Sequence, residues 1–379
     1  MKILHTSDLH LGKKLSEESF HEDQEHILNE IIRIVDEKGV SVVMISGDIY
    51  DKAIPNADAI KLFDEFITDL AEKKVKVLIA SGNHDSNERL AFGSEIFSKF
   101  NIHIATSYEG QIDKVSVEDV DFYLLPFLKP FHIKHLMNEK EYENINDTND
   151  MMEWILNREN VDKSRKNILL AHQFVKSGEN KPKRAESENN PYDTVGTLDA
   201  IEVGLFDDFD YVALGHLHRP QSIGRETVRY SGTPLKYSFS EADDEKSIVI
   251  IDTDDIEAFE LVDLVPLRDV KILEGTFEQV MNMEPSDDII KVELLDENTF
   301  VSPMERIRER FSNAIALEFV NIYPVLDTGD DNKRETIITG KASPYELFDL
   351  FFKEQNGREM SEDEEKCIKS IIESLKGGI

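Results

Sequence analysis

Short apolar runs alternate with amphipathic stretches through the first hundred residues of the chain. The apolar runs, rich in β-branched residues, predict buried strands at 2–6, 41–45 and 75–80. Apolar positions at helical spacing predict helices over 20–38, 56–73 and 88–100. A polar turn follows each predicted strand, and two of these turns contain glycine. The alternation therefore predicts an α/β layered fold with a site at the carboxyl ends of the strands.

The later chain continues this pattern and then restarts it. Further strands are predicted at 115–117, 121–125, 167–171, 211–214, 222–230 and 247–252. The polar, proline-containing segment 178–190 predicts a mobile loop. After Pro266, strand and helix patterns begin again over a length typical of a small domain. We predict a large domain over 1–265, a cap over 266–326, a charged linker over 327–342 and a helical segment over 343–379.

Composition excludes several classes of protein. The 379 residues include 43 basic and 77 acidic ones, a net charge of −34, so bulk attraction cannot hold nucleic acid. Contact with DNA would have to be local, through a metal site, small basic patches or a partner. A single cysteine excludes a disulfide framework and a cysteine-based zinc module. With no apolar run of the ~18 residues that a membrane helix needs and a charged start, we expect a cytoplasmic protein with no membrane contact.

Candidate metal ligands cluster at the ends of predicted strands. Five segments carry them: Asp8-Leu9-His10, Gly47-Asp48-Ile49-Tyr50-Asp51, Gly82-Asn83-His84-Asp85, Ala171-His172 and Gly215-His216-Leu217-His218. Asp, His and Asn are hard or borderline metal ligands. Because residues two apart at a strand end point the same way, Asp8 and His10 can converge on one ion. Any one segment is more often a hydrogen-bonded turn, but five together favour a metal site.

The series D-x-H, G-D-x-x-D, G-N-H-D, H and G-H-x-H resembles the calcineurin-like metallophosphoesterase superfamily. The stretches 2–12, 47–51, 209–220 and 230–235 carry a closer resemblance, to nuclease subunits of bacterial double-strand-break repair complexes. This resemblance is strong over residues 1 to about 250 and weaker beyond. It implies a four-layer αββα sandwich with two metals between its sheets, a small α+β cap domain and a C-terminal helical pair.

The resemblance also implies a ligand set. Asp8, His10 and His218 would bind the first metal, Asn83, His172 and His216 the second, and Asp48 would bridge both. The ions of this family are usually manganese. Asp51 agrees with the bacterial branch, in which an Asp occupies this position. Two such ions can clamp a phosphodiester and activate the attacking water.

His84 is the candidate proton donor to the leaving alkoxide. The adjacent carboxylate of Asp85 is expected to fix its tautomer and raise its pKa. A further metal ligand, or a hydrogen bond behind the ligands, is the alternative role of His84. The family resemblance favours catalysis.

Partner surfaces are predicted in two places. Helices 56–73 and 88–100 either pack only on the sheet or, as the resemblance implies, also form a homodimer. The C-terminal helices carry more large apolar residues than one face can hold, so they pack on the chain itself or dock an ATPase subunit, as the resemblance implies. These apolar residues are Tyr345, Leu347, Phe348, Leu350, Phe351, Phe352, Ile368, Ile371, Ile372 and Leu375. Candidate DNA contacts, or ordinary solvated charges, are Lys176, Lys181, Lys183, Arg184, Arg219, Arg225, Arg229, Arg306, Arg308 and Arg310.

The predicted function is that of a two-metal DNA nuclease. By resemblance it is a 3′–5′ exonuclease on duplex ends and an endonuclease on hairpin DNA, the catalytic subunit of an ATP-regulated repair and recombination complex. One alternative is a small-molecule phosphodiesterase or phosphatase with the same metals, although a cap, arginine-bearing loops and C-terminal helices are then unneeded. The other is an inactive scaffold, which the full set of expected ligands disfavours.

Overall fold

The computed structural model describes residues 1–180, 182–188, 200–296 and 298–321, with 345, 348–349, 352–353, 358–361 and 364–369. The described residues form two compact units. The first unit draws on Met1–Leu273, Met283–Val292 and Met304–Leu317, and the second on Glu274–Asn282, Glu293–Pro303 and Glu318–Ile379. The predicted linker 327–342 lies outside the described residues, as does most of the helical segment 343–379. The predicted domain boundaries remain predictions.

The first large sheet contains the strand that opens the chain. Its described strands lie in the order Asp255–Asp263, Ser247–Asp252, Lys2–Thr6, Val42–Ser46, Lys76–Ala80 and Ile102–Ala105. The four strands from Lys2–Thr6 onward pair in parallel, as the alternation of strands and helices predicts. Each of the other two strands pairs antiparallel with the next one in this order, Asp255–Asp263 with Ser247–Asp252 and Ser247–Asp252 with Lys2–Thr6.

The second large sheet is built from the middle of the chain. Its described strands lie in the order Gln221–Ile223, Arg225–Tyr230, Tyr211–Gly215, Lys166–His172, Val120–Leu125 and Asp113–Val117. The single strand predicted over 222–230 is wrong, because Gly224 turns the chain at φ +70° and the two halves pair antiparallel. The inner four strands are parallel.

Apolar side chains of both sheets meet in a shared core, to which the first sheet gives Ile3, Met44 and Leu78 and the second Phe122, Leu170 and Ala213. Helices His21–Lys38 and Ala57–Glu72 cover the outer face of the first sheet. Helix Thr148–Leu156 and the 3-10 segment Pro130–Leu136 cover that of the second. This arrangement confirms the predicted αββα sandwich.

The helix predicted over 88–100 is interrupted. Helix Asn87–Leu90 is followed by Gly93 at φ +79°, then by helix Ser94–Phe97 and a 3-10 turn, Ser98–Phe100. A residue with positive φ cannot continue a right-handed helix, so Gly93 divides the segment. The prediction of one continuous helix is therefore wrong.

The remaining elements are short. Strands Val270–Gly275, Ile289–Leu294 and Ala314–Phe319 form a three-stranded sheet in that order, with helices Phe277–Asn282 and Pro303–Arg308 between them in sequence. Two-residue strands pair Lys14–Leu15 with Glu18–Ser19 and Val175–Lys176 with Ile201–Glu202. Helix Glu139–Tyr142 and the 3-10 turns Glu186–Glu188, Val203–Phe206 and Phe239–Glu241 are further short elements, and the described residues 364–369 are also helical. Within the described residues, no helix has both the length and the apolar character needed to cross a membrane.

A candidate dinuclear metal centre

The seven predicted metal ligands meet at one edge of the sandwich. They are Asp8 and His10 after strand Lys2–Thr6, Asp48 after Val42–Ser46, Asn83 after Lys76–Ala80, His172 at the end of Lys166–His172, and His216 and His218 after Tyr211–Gly215. The carboxyl ends of parallel strands share an edge, and here two such edges face each other across the core. The topology thus brings together residues up to 210 positions apart in the sequence.

The backbone at these ligands is unusual. Asp8, His10, Asp48 and His216 have φ angles of +53°, +45°, +51° and +101°. Residues other than glycine rarely adopt positive φ, at a cost of about 1–3 kcal/mol each when the conformation is strained. The Asp8 N–H donates to the Gly47 carbonyl oxygen at 3.0 Å, which ties the first ligand loop to the second. Concentration of positive φ at the predicted ligands marks this edge as a functional centre.

Glycines allow the ligand loops to approach one another. A Cβ atom at Gly82 would lie 2.1 Å from Asp48 Oδ1, and one at Gly215 would lie 1.8 Å from the Ser46 carbonyl oxygen. Neither distance is compatible with a side chain. Glycine at these positions is therefore required by packing.

The first donor set consists of Asp8, His10 and His218, whose candidate ligand atoms all lie within 4.8 Å of one another. The Nε2 atoms of His10 and His218 are 3.0 Å apart. Burial lowers the pKa of both imidazoles well below the ordinary value, so both rings are neutral near pH 7. Two neutral imidazoles beside a carboxylate suit a divalent cation.

The second donor set centres on Asn83. Its Oδ1 lies 3.0 Å from His172 Nε2 and 3.0 Å from His216 Nδ1. Asp48 Oδ2 lies 3.3 Å from His172 Nε2 and 3.7 Å from His10 Nε2. Asp48 therefore stands between the two donor sets, where a carboxylate shared by two cations would stand.

The charges of the centre favour a cation. Burial, with the nearby Asp48 carboxylate, raises the pKa of Asp8 to about 7. Burial opposes protonation of His172, but the Asp48 carboxylate beside its Nε2 raises the pKa of His172 to about 9. The same contact holds the pKa of Asp48 well below its ordinary value despite burial. Without a metal, a proton on His172 thus offsets the carboxylate charge, and a bound cation would replace it.

His84 lies at the open side of the centre. Its side chain is 30% exposed, and its Nε2 is 4.0 Å from Asp48 Oδ2. Its Nδ1 lies 2.9 Å from the Asp51 carbonyl oxygen. Because a carbonyl oxygen only accepts, Nδ1 carries the proton and the second ring nitrogen is left for a ligand or a proton transfer. His84, His10 and Asp51 also lie close enough to form a ligand set, so this alternative remains.

The expected pairing of Asp85 with the His84 ring requires a correction. One Asp85 oxygen accepts N–H bonds from Gly82 and Ile49, at 2.9 and 3.2 Å, and the other accepts one from Tyr50 at 3.1 Å. Asp85 thus joins the loop that carries Asp48 to the loop that carries Asn83. The bond that orients His84 comes instead from the Asp51 carbonyl oxygen.

A polar network behind His218 was not predicted. The Ser187 hydroxyl donates a hydrogen bond to Glu241 Oε1 at 2.5 Å. Ser187 Oγ therefore accepts a hydrogen bond from the N–H of His218 at Nδ1, which lies 2.7 Å away. Lys246 Nζ lies 2.6 Å from Glu241 Oε2, and both side chains are buried. Glu188 Oε1 accepts the His218 main-chain N–H at 2.8 Å. Such a chain fixes the tautomer that leaves His218 Nε2 free for a metal.

Two predictions for the surrounding segments change. The end of the segment predicted as a mobile loop packs on the centre, because Glu188 is buried there. Two of the arginines considered as DNA contacts donate to main-chain carbonyl oxygens: Arg225 to those of Phe206 and Phe209, and Arg310 to that of Met283. Lys181 lies outside the described residues.

Comparison with known proteins identifies the family of the chain. Residues 1–220 match the family model of the calcineurin-like phosphoesterases. The chain is 30% identical to the SbcD subunit of the nuclease SbcCD from Staphylococcus epidermidis over 380 residues, 98% of each chain. It is 31% identical to that of Staphylococcus saprophyticus over 382 residues, 99% of this chain and 98% of the relative. A solved dimetal phosphatase from Danio rerio aligns at TM-score 0.41 and 12% identity, over 70% of this chain and 96% of its own. The chain therefore belongs to the calcineurin-like phosphoesterase family, and it is similar over almost its whole length to SbcD subunits of SbcCD nucleases.

Proposed function

We propose that the chain is a two-metal DNA nuclease, a 3′–5′ exonuclease on duplex ends and an endonuclease on hairpins. The observation that carries the proposal is Asp48, whose carboxylate stands 3.7 Å from a ligand atom of one donor set and 3.3 Å from one of the other. Two cations that share a carboxylate are a common arrangement for phosphodiester hydrolysis. We take manganese as the ion, as in the family that the sequence resembles.

The positions of the donor atoms support a role for each ligand residue. Asp8, His10 and His218 would hold one ion, Asn83, His172 and His216 the other, and Asp48 both. Bound divalent ions supply positive charge against the phosphoryl oxygens and lower the pKa of water. His84, held by the Asp51 carbonyl oxygen at Nδ1, presents Nε2 to the leaving sugar oxygen and as an imidazolium donates its proton there.

The names of the relatives and the charge of the chain support the proposed substrate and partner. The relatives are named nucleases of the SbcCD complex, and they match this chain over almost its whole length. We propose that an SbcC-type ATPase docks on the C-terminal segment 343–379 in the cytoplasm and that the complex acts in DNA repair and recombination. A net charge of −34 leaves much of the grip on DNA to such a partner.

A homodimer is proposed through the two helical segments named above. Four apolar side chains there are strongly exposed: Ile60 at 47%, Phe92 at 84%, Ile96 at 60% and Phe100 at 62%. Ile54, just before helix Ala57–Glu72, is 73% exposed. Exposed apolar groups of this size are typical of an interaction surface, and a second copy would place two active sites on one DNA.

A cleavage assay tests the proposed activity. The purified chain is incubated with Mn²⁺ and either a hairpin-ended duplex or the small ester bis(p-nitrophenyl) phosphate. We expect cleavage of the DNA, abolished by Asp48→Asn and retained by Asp208→Asn, a surface carboxylate paired with Lys163. Hydrolysis of the ester alone, also after addition of the ATPase, would favour the small-molecule phosphodiesterase. Hydrolysis of neither substrate would favour the scaffold.

Co-purification tests the partner. We expect a chain that ends at Thr339 to retain metal-dependent cleavage and to lose association with the ATPase. Retained association would refute docking on the C-terminal segment.

A further inference from the structure

An open cavity of about 550 Å³ lies directly beside the second donor set. Asn83 and His216 form part of its lining, and Phe127, Phe131 and Phe174 form another part. The proposed metal chemistry gives no role to these three aromatic rings. Phe131 is 62% exposed, and Phe127 and Phe174 are half-buried.

Two of these aromatic rings, those of Phe127 and Phe174, lie next to His216 of the second donor set. The Phe127 ring lies 6.3 Å from the His216 ring at an interplanar angle of 23°, and the Phe174 ring lies 6.4 Å from it at 83°. A flat group that stacks in this cavity would therefore lie next to whatever His216 and Asn83 bind. Aromatic faces held in this way are stacking platforms for a planar ligand.

The cavity is lined by charges of both signs, because the carboxylates of Asp85 and Glu88 line it together with Lys129. Lys129 Nζ lies 5.9 Å from the centroid of the Phe127 ring, and the Arg184 guanidinium lies 5.7 Å from that of Phe174. The side chains of Asn87, His132 and Gln173 add hydrogen-bonding groups to the lining. Arg184 lies outside the lining and pairs with Glu188, and the Asp85 oxygens accept main-chain N–H groups. Lys129, a lining cation beside an aromatic ring and a phosphoester site, suits a planar ligand that carries negative charge.

We propose that this cavity is a stacking subsite for one nucleobase, that of the nucleotide whose phosphodiester lies at Asn83 and His216. The inference rests on the proposed nuclease function. A base inside a duplex is already stacked on both faces, so the base in the cavity must be unpaired, at a frayed end, an overhang or a hairpin loop. Stacking on phenylalanine tolerates every base, so the subsite selects unpaired structure rather than sequence.

Fluorescence binding tests the subsite. The probe is a duplex with a one-nucleotide 3′ overhang of 2-aminopurine behind a cleavage-resistant phosphorothioate linkage, and its partner probe has an abasic overhang. In Mn²⁺ we expect the wild type to quench the 2-aminopurine and to bind the base-bearing end about tenfold more tightly than the abasic end. Phe127→Leu and Phe174→Leu are each expected to reduce this preference to below about threefold, and Phe127→Tyr to retain it.

A matched control separates stacking from general loss of an aromatic side chain. Phe259 also carries an arginine over its ring, Arg229 at 4.7 Å, but it does not line the cavity. Phe259→Leu is expected to keep the full preference for the base-bearing end. Thermal melts identify any variant that fails to fold, in which case the other phenylalanine variant decides.

The outcomes distinguish this inference from the proposed function. Equal affinity of the wild type for both ends, or an equal loss of preference in Phe259→Leu and Phe127→Leu, would overturn the subsite even if unmodified DNA is cut. A base preference without cleavage of unmodified DNA, also after addition of the ATPase, would keep the subsite and refute the nuclease. Quenching of free 2-aminopurine deoxynucleoside monophosphate, but not of the overhang, would assign the cavity to small nucleotides and overturn binding of a DNA end.

Discussion

At the scale of single residues, the metal centre depends on glycines, which have no Cβ atom, as much as on its ligands. Gly82 has no Cβ where Asp48 Oδ1 would be 2.1 Å away and the Asp48 nitrogen 2.3 Å away. Gly47 has φ +86°, and a Cβ there would lie 2.2 Å from His172 Nδ1. Both ligands therefore occupy space that an alanine would fill.

Gly82→Ala is expected to displace the Asp48 carboxylate and to weaken metal binding at least tenfold. Overpacking of this kind also costs about 1–3 kcal/mol of the free energy of unfolding. Calorimetric titration with Mn²⁺ and a denaturant melt measure the two effects. Gly204→Ala is the matched control, since no atom lies within 4 Å of its added Cβ. Unchanged Mn²⁺ affinity in Gly82→Ala would contradict the packing argument.

Glu241 shows how a single buried charge supports the site. It pairs with Lys246 at 2.6 Å, accepts the Ser187 and Ser238 hydroxyls, and is 0% exposed. Removal of one partner from a buried pair leaves the other charge uncompensated. Breaking this buried pair therefore lowers the free energy of unfolding more than breaking an ion pair on the surface.

Glu241→Gln is expected to lower the free energy of unfolding by about 3–5 kcal/mol. Glu260→Gln removes a pair with Lys38 in which the Glu260 side chain is 54% exposed, and it should cost less than about 1 kcal/mol. Urea denaturation of both variants measures the difference. Equal losses of unfolding free energy in the two variants would show that loss of the buried carboxylate costs no more than loss of the exposed one.

At the scale of elements, apolar periodicity predicted the strands that carry the ligands and the two long helices of the first outer layer. It did not locate breaks within an element. Gly93 lies between apolar residues that suit a single helix, but its φ of +79° divides the segment. The break leaves Phe92 and Ile96 strongly exposed. Phe92 and Ile96, whose spacing contributed to the incorrect helix prediction, are thus part of the proposed dimer surface.

The double substitution Ile60→Glu with Ile96→Glu is expected to convert a dimer to a monomer. Charge on both sides of the proposed interface would have to be buried without a partner. Light scattering at micromolar concentration measures the mass of the wild type and the variant. Val265→Glu is the control, since Val265 is 64% exposed and lies outside both helical segments. A monomeric wild type would contradict the dimer.

At the scale of the whole molecule, the alternation of strands and helices predicted an α/β layered fold with its site at the carboxyl ends of the strands, and the family resemblance supplied the αββα class. Asp8 and His10 are two residues apart, as are His216 and His218, so their proximity could be predicted from the sequence. The support behind them is not local: Ser187 and Glu241 are 54 residues apart, and only the fold brings them together. The role expected for Asp85 was wrong for a similar reason, because adjacency in sequence to His84 did not determine which atoms it contacts.

The central claim is that two cations share Asp48. Elemental analysis and electron paramagnetic resonance of the Mn²⁺-loaded chain test it directly. We predict two ions per chain with an exchange-coupled spectrum in the wild type, and loss of the coupled spectrum in Asp48→Asn. One ion per chain, or two ions with the spectrum of isolated Mn²⁺, would contradict the account.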